Sequence, residues 1–294
     1  MSKSNSEQSQ AEDKISRRFQ GSSKFMREMK SLGIIVLIAL ALRATVVEAY
    51  IVPTGSMEQT IMVGDFLIGN KFIYGMRTPD WLGIPYTKLG FNIPWVRFPR
   101  FRKPETGDVV IFKYPHNTYD KYVKRLIAGP GQTIDIRGRE IFVDGERFFH
   151  PEHMQFTDRE SKSEEWMNPN IWPRGNGNKD YYRALRVPAR GDTLSVIHDR
   201  DILWYVSIMD RHDVNQRGNR IYVDGEVADH YVVEQDYYFM MGDNRDQSYD
   251  SRFWGFVPHE YILGEALFVY FSLDLKRFPH VSWERIKRIG TVIH

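Results

Sequence analysis

Hydrophobic and polar positions follow two regimes that change near residue 50. Before it, Met1 to Lys30 is polar, Ser-rich and basic, which reads as a mostly disordered tail. Leu32 to Leu42, LGIIVLIALAL, is eleven residues without a charge. A spanning helix needs roughly 20. Extending to Val52 gives the length but takes in Arg43 and Glu48. Three readings compete. A cleavable signal sequence would use Val47-Glu48-Ala49 as its cleavage site. A retained anchor would set Lys30 at one interface and Arg43 and Glu48 at the other. A buried helix of a soluble protein is the plainest reading, and the basic flank disfavours it. If the segment is retained, its basic side stays cytoplasmic and everything after residue 50 faces outward.

After Tyr50, short apolar stretches alternate with Gly, Pro and Asp turns: DFLIGNKFIYG, GDVVIFKYP, YVKRLIAGPG, REIFVDGE, RIYVDGE, YYFMMGDN and EALFVYFSL. Val, Ile, Phe and Tyr between turn residues predict strands. A helical period emerges only in about the last ten residues, so the predicted class is mainly β. One pattern repeats: Arg137-Gly138-x-x-Ile141-x-Val143-Asp144-Gly145-Glu146 returns 80 residues later as Arg217-Gly218-x-x-Ile221-x-Val223-Asp224-Gly225-Glu226. Each copy predicts a hairpin with an Asp-Gly turn. The echo suggests an inserted β lobe over 138–235, between core parts 50–137 and 236–294. Glu152 to Asp180, rich in Asn-Pro and Asn-Gly, predicts a long surface loop inside it.

Charge and composition narrow the chemistry. Lys and Arg number 40 against 38 acids, a net +2, which gives no support to electrostatic coating of nucleic acid. Cysteine is absent, which excludes disulfides, thiolate metal sites and a cysteine nucleophile. No cofactor and no metal is expected.

Three segments carry candidate chemistry. In Pro53-Thr54-Gly55-Ser56-Met57, Ser56 could attack a carbonyl, with its own N–H and the Thr54 hydroxyl receiving the oxyanion. Ser56-x-x-Gln59 also fits a helix capping box, the plainer reading taken alone. A serine nucleophile needs a base. None of the nine histidines stands out, and no Gly-x-Ser-x-Gly elbow is present. The better base is Lys124, in the apolar strand Tyr122-Val123-Lys124-Arg125-Leu126-Ile127-Ala128. Alternation puts Lys124 on the face of Tyr122 and Leu126, with Arg125 on the other. A free lysine titrates near 10.4, but burial could lower it by about 3 units and leave free amine at neutral pH. The plainer reading is a charged gatekeeper on an edge strand. The third segment runs from Gly242 to Arg252. Asp243, Arg245, Asp250 and Arg252 could fix the loop as ion pairs, and Ser248 could orient the lysine amine. Asp243, Asn244, Asp246 and Asp250 could alternatively hold Ca²⁺, but the spacing is not that of an EF-hand and the arginines would repel a cation.

Together the three segments resemble the bacterial type I signal peptidases, Ser-Lys dyad proteases of the leader peptidase family. That family carries a Pro-Ser-Gly-Ser-Met box, a Lys-Arg box followed by Gly-x-Pro-Gly, and a Gly-Asp-Asn-x-x-x-Ser-x-Asp-Ser-Arg box. All three occur here in that order, behind an apolar segment. The resemblance covers about 30–135 and 236–273. It implies a membrane-anchored catalytic domain of coiled antiparallel sheets, with Ser56 as nucleophile, Lys124 as general base and Thr54 with Ser56 at the oxyanion hole. Ser248 would orient the lysine, and Asp250, Arg252, Asp243 and Arg245 would support the loop. Departures are Thr54 for a serine, Gln59 for the usual Pro and Gln132 for an acid.

The implied activity is removal of signal peptides from exported preproteins after Ala-x-Ala sites, with the substrate lying as an added β-strand. Implied partners are preprotein signal peptides, the lipid bilayer and a secretion translocon; no nucleic acid is implied. A retained anchor over 31–49 then fits best, with a cytoplasmic tail over 1–30 and the catalytic domain outside the bacterial inner membrane. Aromatics and cations between Trp81 and Lys103 suit a headgroup interface, or the packing of an ordinary hairpin. Two other functions compete. A self-cleaving Ser-Lys protease like the LexA-type repressors would carry a DNA-binding helix pair ahead of the serine. A tethered β-domain with a degenerate site would lack Ser56 or Lys124.

Overall fold

The computed structural model describes residues 26–36, 38, 47–75, 78, 81–83, 89–94, 96–274 and 282–294. The chain divides into two compact units, Met1–Val46 and Val47–His294. In the first, residues 26–36 are helical and expose Leu32, Ile34, Ile35 and Val36. Among the described residues no helix is long and apolar enough to cross a membrane. Most of the expected anchor beyond residue 36, and most of the tail, lie outside the described residues.

The second unit is built on a seven-stranded antiparallel sheet. Its strands are β1 (Val47–Ile51), β2 (Asp65–Asn70), β3 (Val109–Tyr114), β4 (Asn117–Ala128), β5 (Tyr237–Met241), β6 (Val257–Pro258) and β7 (Ile262–Ser272). They lie in the order β1-β2-β7-β3-β4-β5-β6. β1 starts at Val47, so residues 47–49 of the expected anchor stand in this sheet. The reason is local: Glu48 is held by Lys71 at 2.9 Å and Lys121 at 2.6 Å, groups of the same body.

β4 shows why the strand pattern holds its chemistry. Its first residues are exposed and its last five are buried without alternation. Both faces are covered there: Ile127 and Ala128 join one apolar cluster, Leu126 another, and Val123 packs on a third. The strand is interior, paired with β3 through Val110↔Lys124 and with β5 through Met241↔Arg125. Lys124 itself is 3% exposed, which excludes the role of a solvated gatekeeper.

The repeated motif forms two three-stranded meanders of the same layout. Thr133–Arg137, Glu140–Val143 and Glu146–Arg147 make the first; Val214–Arg217, Arg220–Val223 and Glu226–Val227 make the second. Both Asp-Gly turns have positive φ at each residue, 53° and 84° at Asp144-Gly145, 50° and 85° at Asp224-Gly225. That is the twist a two-residue antiparallel hairpin requires. The first meander begins at Thr133, ahead of the expected boundary at 138. The lobe also shares one apolar cluster with Phe239, Met241 and Phe256 of the main body, so its core is continuous with the sheet.

The lobe holds a helix that the apolar pattern did not reveal, Arg200–Met209, burying Ile202, Leu203, Tyr205, Val206 and Met209. Its Ile, Trp, Tyr and Val content reads as strand, although the buried positions recur with helical spacing. A short helix, Trp283–Lys287, stands near the expected C-terminal one.

Candidate active site

Ser56 lies in a single 3-10 turn, Gly55–Met57, entered from β1 through Val52 and Pro53. Thr54, not Ser56, occupies the N-cap position, and it makes no side-chain capping bond, so the capping-box reading of Ser56 does not hold. Gln59 has φ +81°, a conformation closed to the proline that the resemblance led one to expect there. The turn is pinned from below by Met57 and Ile61, both in the core. It is pinned from the side by Asn244, whose N–H donates to the Ser56 carbonyl at 3.1 Å and whose Nδ2 donates to the Gly55 carbonyl at 3.0 Å. Gly242 permits this approach, because a β-carbon there would overlap both the Ser56 carbonyl and Ser248.

Lys124 reaches the serine from β4, and its Nζ is hydrogen-bonded to Ser56 Oγ. The lysine is only 3% exposed. Burial pushes its ammonium down to about 8; Asp250 and Asp243 pull the other way and Arg252 adds to the depression. Thr54 Oγ1 lies 3.5 Å from Ser56 Oγ. Both hydroxyls and Lys124 line a cleft of about 200 Å³ with Tyr50, Val52, Met57, Ile111, Tyr122, Val123 and Tyr249. No histidine is among its lining residues. A larger concavity of about 950 Å³ shares none of these residues, so size alone does not locate the chemistry.

The cleft lies between two unpaired strand margins. β1 is an edge of the sheet. Lys121–Lys124 pair with β3 on one side only, because β5 begins pairing at Arg125. Among the described residues no further strand pairs on either margin, so an extended chain can add there.

The third segment splits into two buried ion pairs. Asp250 and Arg252 meet in a two-pronged contact, Nε to Oδ1 at 2.9 Å and Nη2 to Oδ2 at 2.8 Å. Burial raises the Asp250 carboxyl, and Arg252 more than offsets that, holding it below its ordinary range. Asp243 does not pair with Arg245. Its partners are Arg125, at 2.8 and 2.7 Å, and the Thr60 hydroxyl at 2.6 Å. Arg245 is buried, its Nε and Nη2 make no protein hydrogen bond, and burial pushes its guanidinium down to about 10. Ser248 is buried beside Gly242. With Asp243, Asp246 and Asp250 each taken by Arg125, Lys179 and Arg252, the carboxylates are not arranged around a cation.

The sequence pattern points to no role for Arg125 or Thr60, and to Asn244 only as an oxygen ligand. Arg125 was placed on the opposite face from Lys124, which is right, but that face is also buried and carries its partner Asp243. A charged residue inside an apolar strand with a loop aspartate elsewhere was the available signal.

A serine hydroxyl held by a buried amine at the floor of an apolar cleft is equipped for acyl transfer, the chemistry of a serine hydrolase. The family model described as "Signal peptidase, peptidase S26" matches residues 25–271. The signal peptidase I of Rickettsia canadensis is 32% identical over 280 residues, covering 90% of this chain and 91% of its own. That of Buchnera aphidicola from Schizaphis graminum is 29% identical over 285 residues, covering 91% and 82%. A solved signal peptidase I from Enterococcus faecalis V583 aligns with 56% of this chain and 97% of its own, at 20% identity and a TM-score of 0.29. The chain belongs to the signal peptidase family, peptidase S26, and is a serine peptidase.

Proposed function

We propose that this protein removes N-terminal signal peptides from exported preproteins, with Ser56 as nucleophile and Lys124 as general base. The observation that carries the reading is the hydrogen bond between Lys124 Nζ and Ser56 Oγ at a lysine withdrawn from water. An extended preprotein segment lies between β1 and the Lys121–Lys124 margin. The free amine takes the Ser56 proton as Oγ attacks the scissile carbonyl. The oxyanion is received by the Ser56 N–H and the Thr54 hydroxyl. Lys124 then protonates the leaving amine, which becomes the new N-terminus of the mature protein. Water, deprotonated by Lys124, cleaves the acyl-enzyme. Ser248, buried beside Gly242 with no hydrogen bond to the amine in this structure, is assigned to orient it in the complex, while Asp250–Arg252 and Arg125–Asp243 hold the loop. The narrow cleft between Val52, Ile111 and Val123 suits small side chains, hence small-x-small (Ala-x-Ala) sites.

A substrate anchored in a bilayer requires an enzyme at its surface. Residues 31–46, short of the expected end at 49 because β1 takes Val47 to Ala49, supply the anchor, with residues 1–30 cytoplasmic and the catalytic body outside the inner membrane. The helix over 26–36 exposes six large apolar side chains, Met26 and Met29 among them, which supports this. So do Phe91, Phe98 and Phe101, exposed on the body.

The test is cleavage of a preprotein by the full chain in detergent. Wild type releases the mature protein after a small-x-small site; Ser56→Ala and Lys124→Ala lose activity by at least about a thousandfold. Hydrolysis by either variant at the wild-type rate contradicts the dyad.

A further inference from the structure

The lobe loop over 151–181 has no part in the chemistry above, yet it is laced to the third segment along its length. The Gln155 N–H donates to the Asp243 carbonyl at 3.0 Å, and the Arg245 N–H donates back to Gln155 at 3.0 Å, a parallel bridge. The Asp158 N–H donates to Asp246 Oδ2 at 2.8 Å. Lys179 Nζ bonds to Asp246 Oδ1, and to Asp158 Oδ2 at 2.5 Å. The Lys179 carbonyl accepts from Arg252 Nη1 at 3.1 Å, and the Trp172 N–H donates to the Arg252 carbonyl at 2.9 Å. The loop itself is fastened shut by buried Asn178, whose Nδ2 donates to the Ser163 and Trp166 carbonyls at 2.9 and 2.8 Å.

We propose that residues 151–181 form a strap that sets the geometry of the Gly242–Arg252 segment, with Lys179 as a positioning residue for the Ser56–Lys124 pair. The inference rests on the proposed function. Its path is short. Lys179 neutralises Asp246, which is almost fully buried, and the Lys179 carbonyl fixes the Arg252 guanidinium. Arg252 in turn locks Asp250 with two hydrogen bonds. Asp250 and Arg252 are two of the charges that set the proton affinity of Lys124. With the strap lifted, Arg252 screens Asp250 less and the lysine holds its proton more tightly. The lobe thereby acts on the reaction without touching substrate.

The experiment compares full-length Lys179→Met, Lys179→Arg and wild type in detergent on one preprotein across pH. Lys179→Met is expected to lose kcat by about tenfold with KM within about twofold. Its rising pH limb shifts upward by about half a unit, and Lys179→Arg restores both parameters. Arg147→Met, which breaks an exposed pair with Glu140 in the same lobe, leaves them unchanged. Wild-type kcat and pH midpoint in Lys179→Met overturn the proposal, and so does a fall in kcat with an unmoved midpoint, the signature of mere loosening. If near-ultraviolet dichroism shows Lys179→Met unfolded, Asp158→Asn, at the exposed end of the clasp, is read by the same two outcomes. Ser56→Ala run alongside separates the claims: its retained activity defeats the dyad, whereas an inactive Ser56→Ala beside a wild-type-like Lys179→Met defeats only the strap.

Discussion

At the scale of the residue, the proposed mechanism turns on where one proton resides. Lys124 is 3% exposed, and burial moves its ammonium down to about 8. Only the neutral amine can take the serine proton, so kcat/KM rises with pH through a midpoint near 8 and levels off above it. Lys124→Arg stays inactive at every pH, because a guanidinium does not deprotonate in a protein. A pH series of initial rates checks both. The residue types were legible before the structure: Ser56, Lys124 and the Asp250–Arg252 pair were named from the chain alone. The partners were not. The sequence does not say that Asp243 faces Arg125, because a pairing across 118 residues depends on which strands become neighbours. Nor does it reveal that Asn244 grips the Ser56 turn, since an Asn after Gly-Asp fits an ordinary bend equally well.

At the scale of the element, strands and hairpins were legible, because alternating β-branched and aromatic residues between Asp-Gly turns have one local solution. The helix Arg200–Met209 was not. Its composition favours strand, and packing of Leu203 and Val206 in the core overrides that preference. The C-terminal helix Trp283–Lys287 owes its place to a charge. Arg288, just beyond it, makes hydrogen bonds of 2.9 and 2.6 Å to Asp65 Oδ2 and reaches the Thr60 carbonyl at 3.0 Å. Asp65 is fully buried, and without Arg288 it keeps Arg285 at 3.6 Å, the Ser272 hydroxyl at 2.7 Å and the Met62 N–H at 2.8 Å, so its charge is left partly uncompensated. Arg288→Met is expected to destabilise the fold by about 3 kcal/mol, measured as a lower denaturant midpoint. Hydrogen exchange should quicken at Gly290 and Ile293, whose N–H groups bond to Val269 and Leu267. Unchanged stability and exchange would show that the tail docks by its apolar contacts alone.

At the scale of the whole molecule, an apolar rim and a reactive cleft belong to one body. Phe91, Phe98 and Phe101 are exposed, while neighbouring cations are engaged inward: Arg97 donates to the His259 and Ile262 carbonyls, and Arg102 pairs with Asp108 and Glu265. Arg100 and Lys103, by contrast, stay exposed beside these aromatics. Replacing the three phenylalanines by serine is expected to lower binding of residues 47–294 to vesicles of neutral and anionic lipid several-fold in a flotation assay. Cleavage of a short soluble peptide should be unchanged. Equal flotation would assign these side chains to something other than the bilayer.

The most direct measurement is the titration of Lys124 itself. Lysine selectively labelled with carbon-13 at Cε is followed by NMR across pH in the full chain, and the resonance is assigned by its loss in Lys124→Met. The account predicts that the Lys124 resonance titrates near 8, below the free value of about 10.4. A Lys124 resonance that titrates at the free value would leave Ser56 beside a permanently charged neighbour and contradict the mechanism.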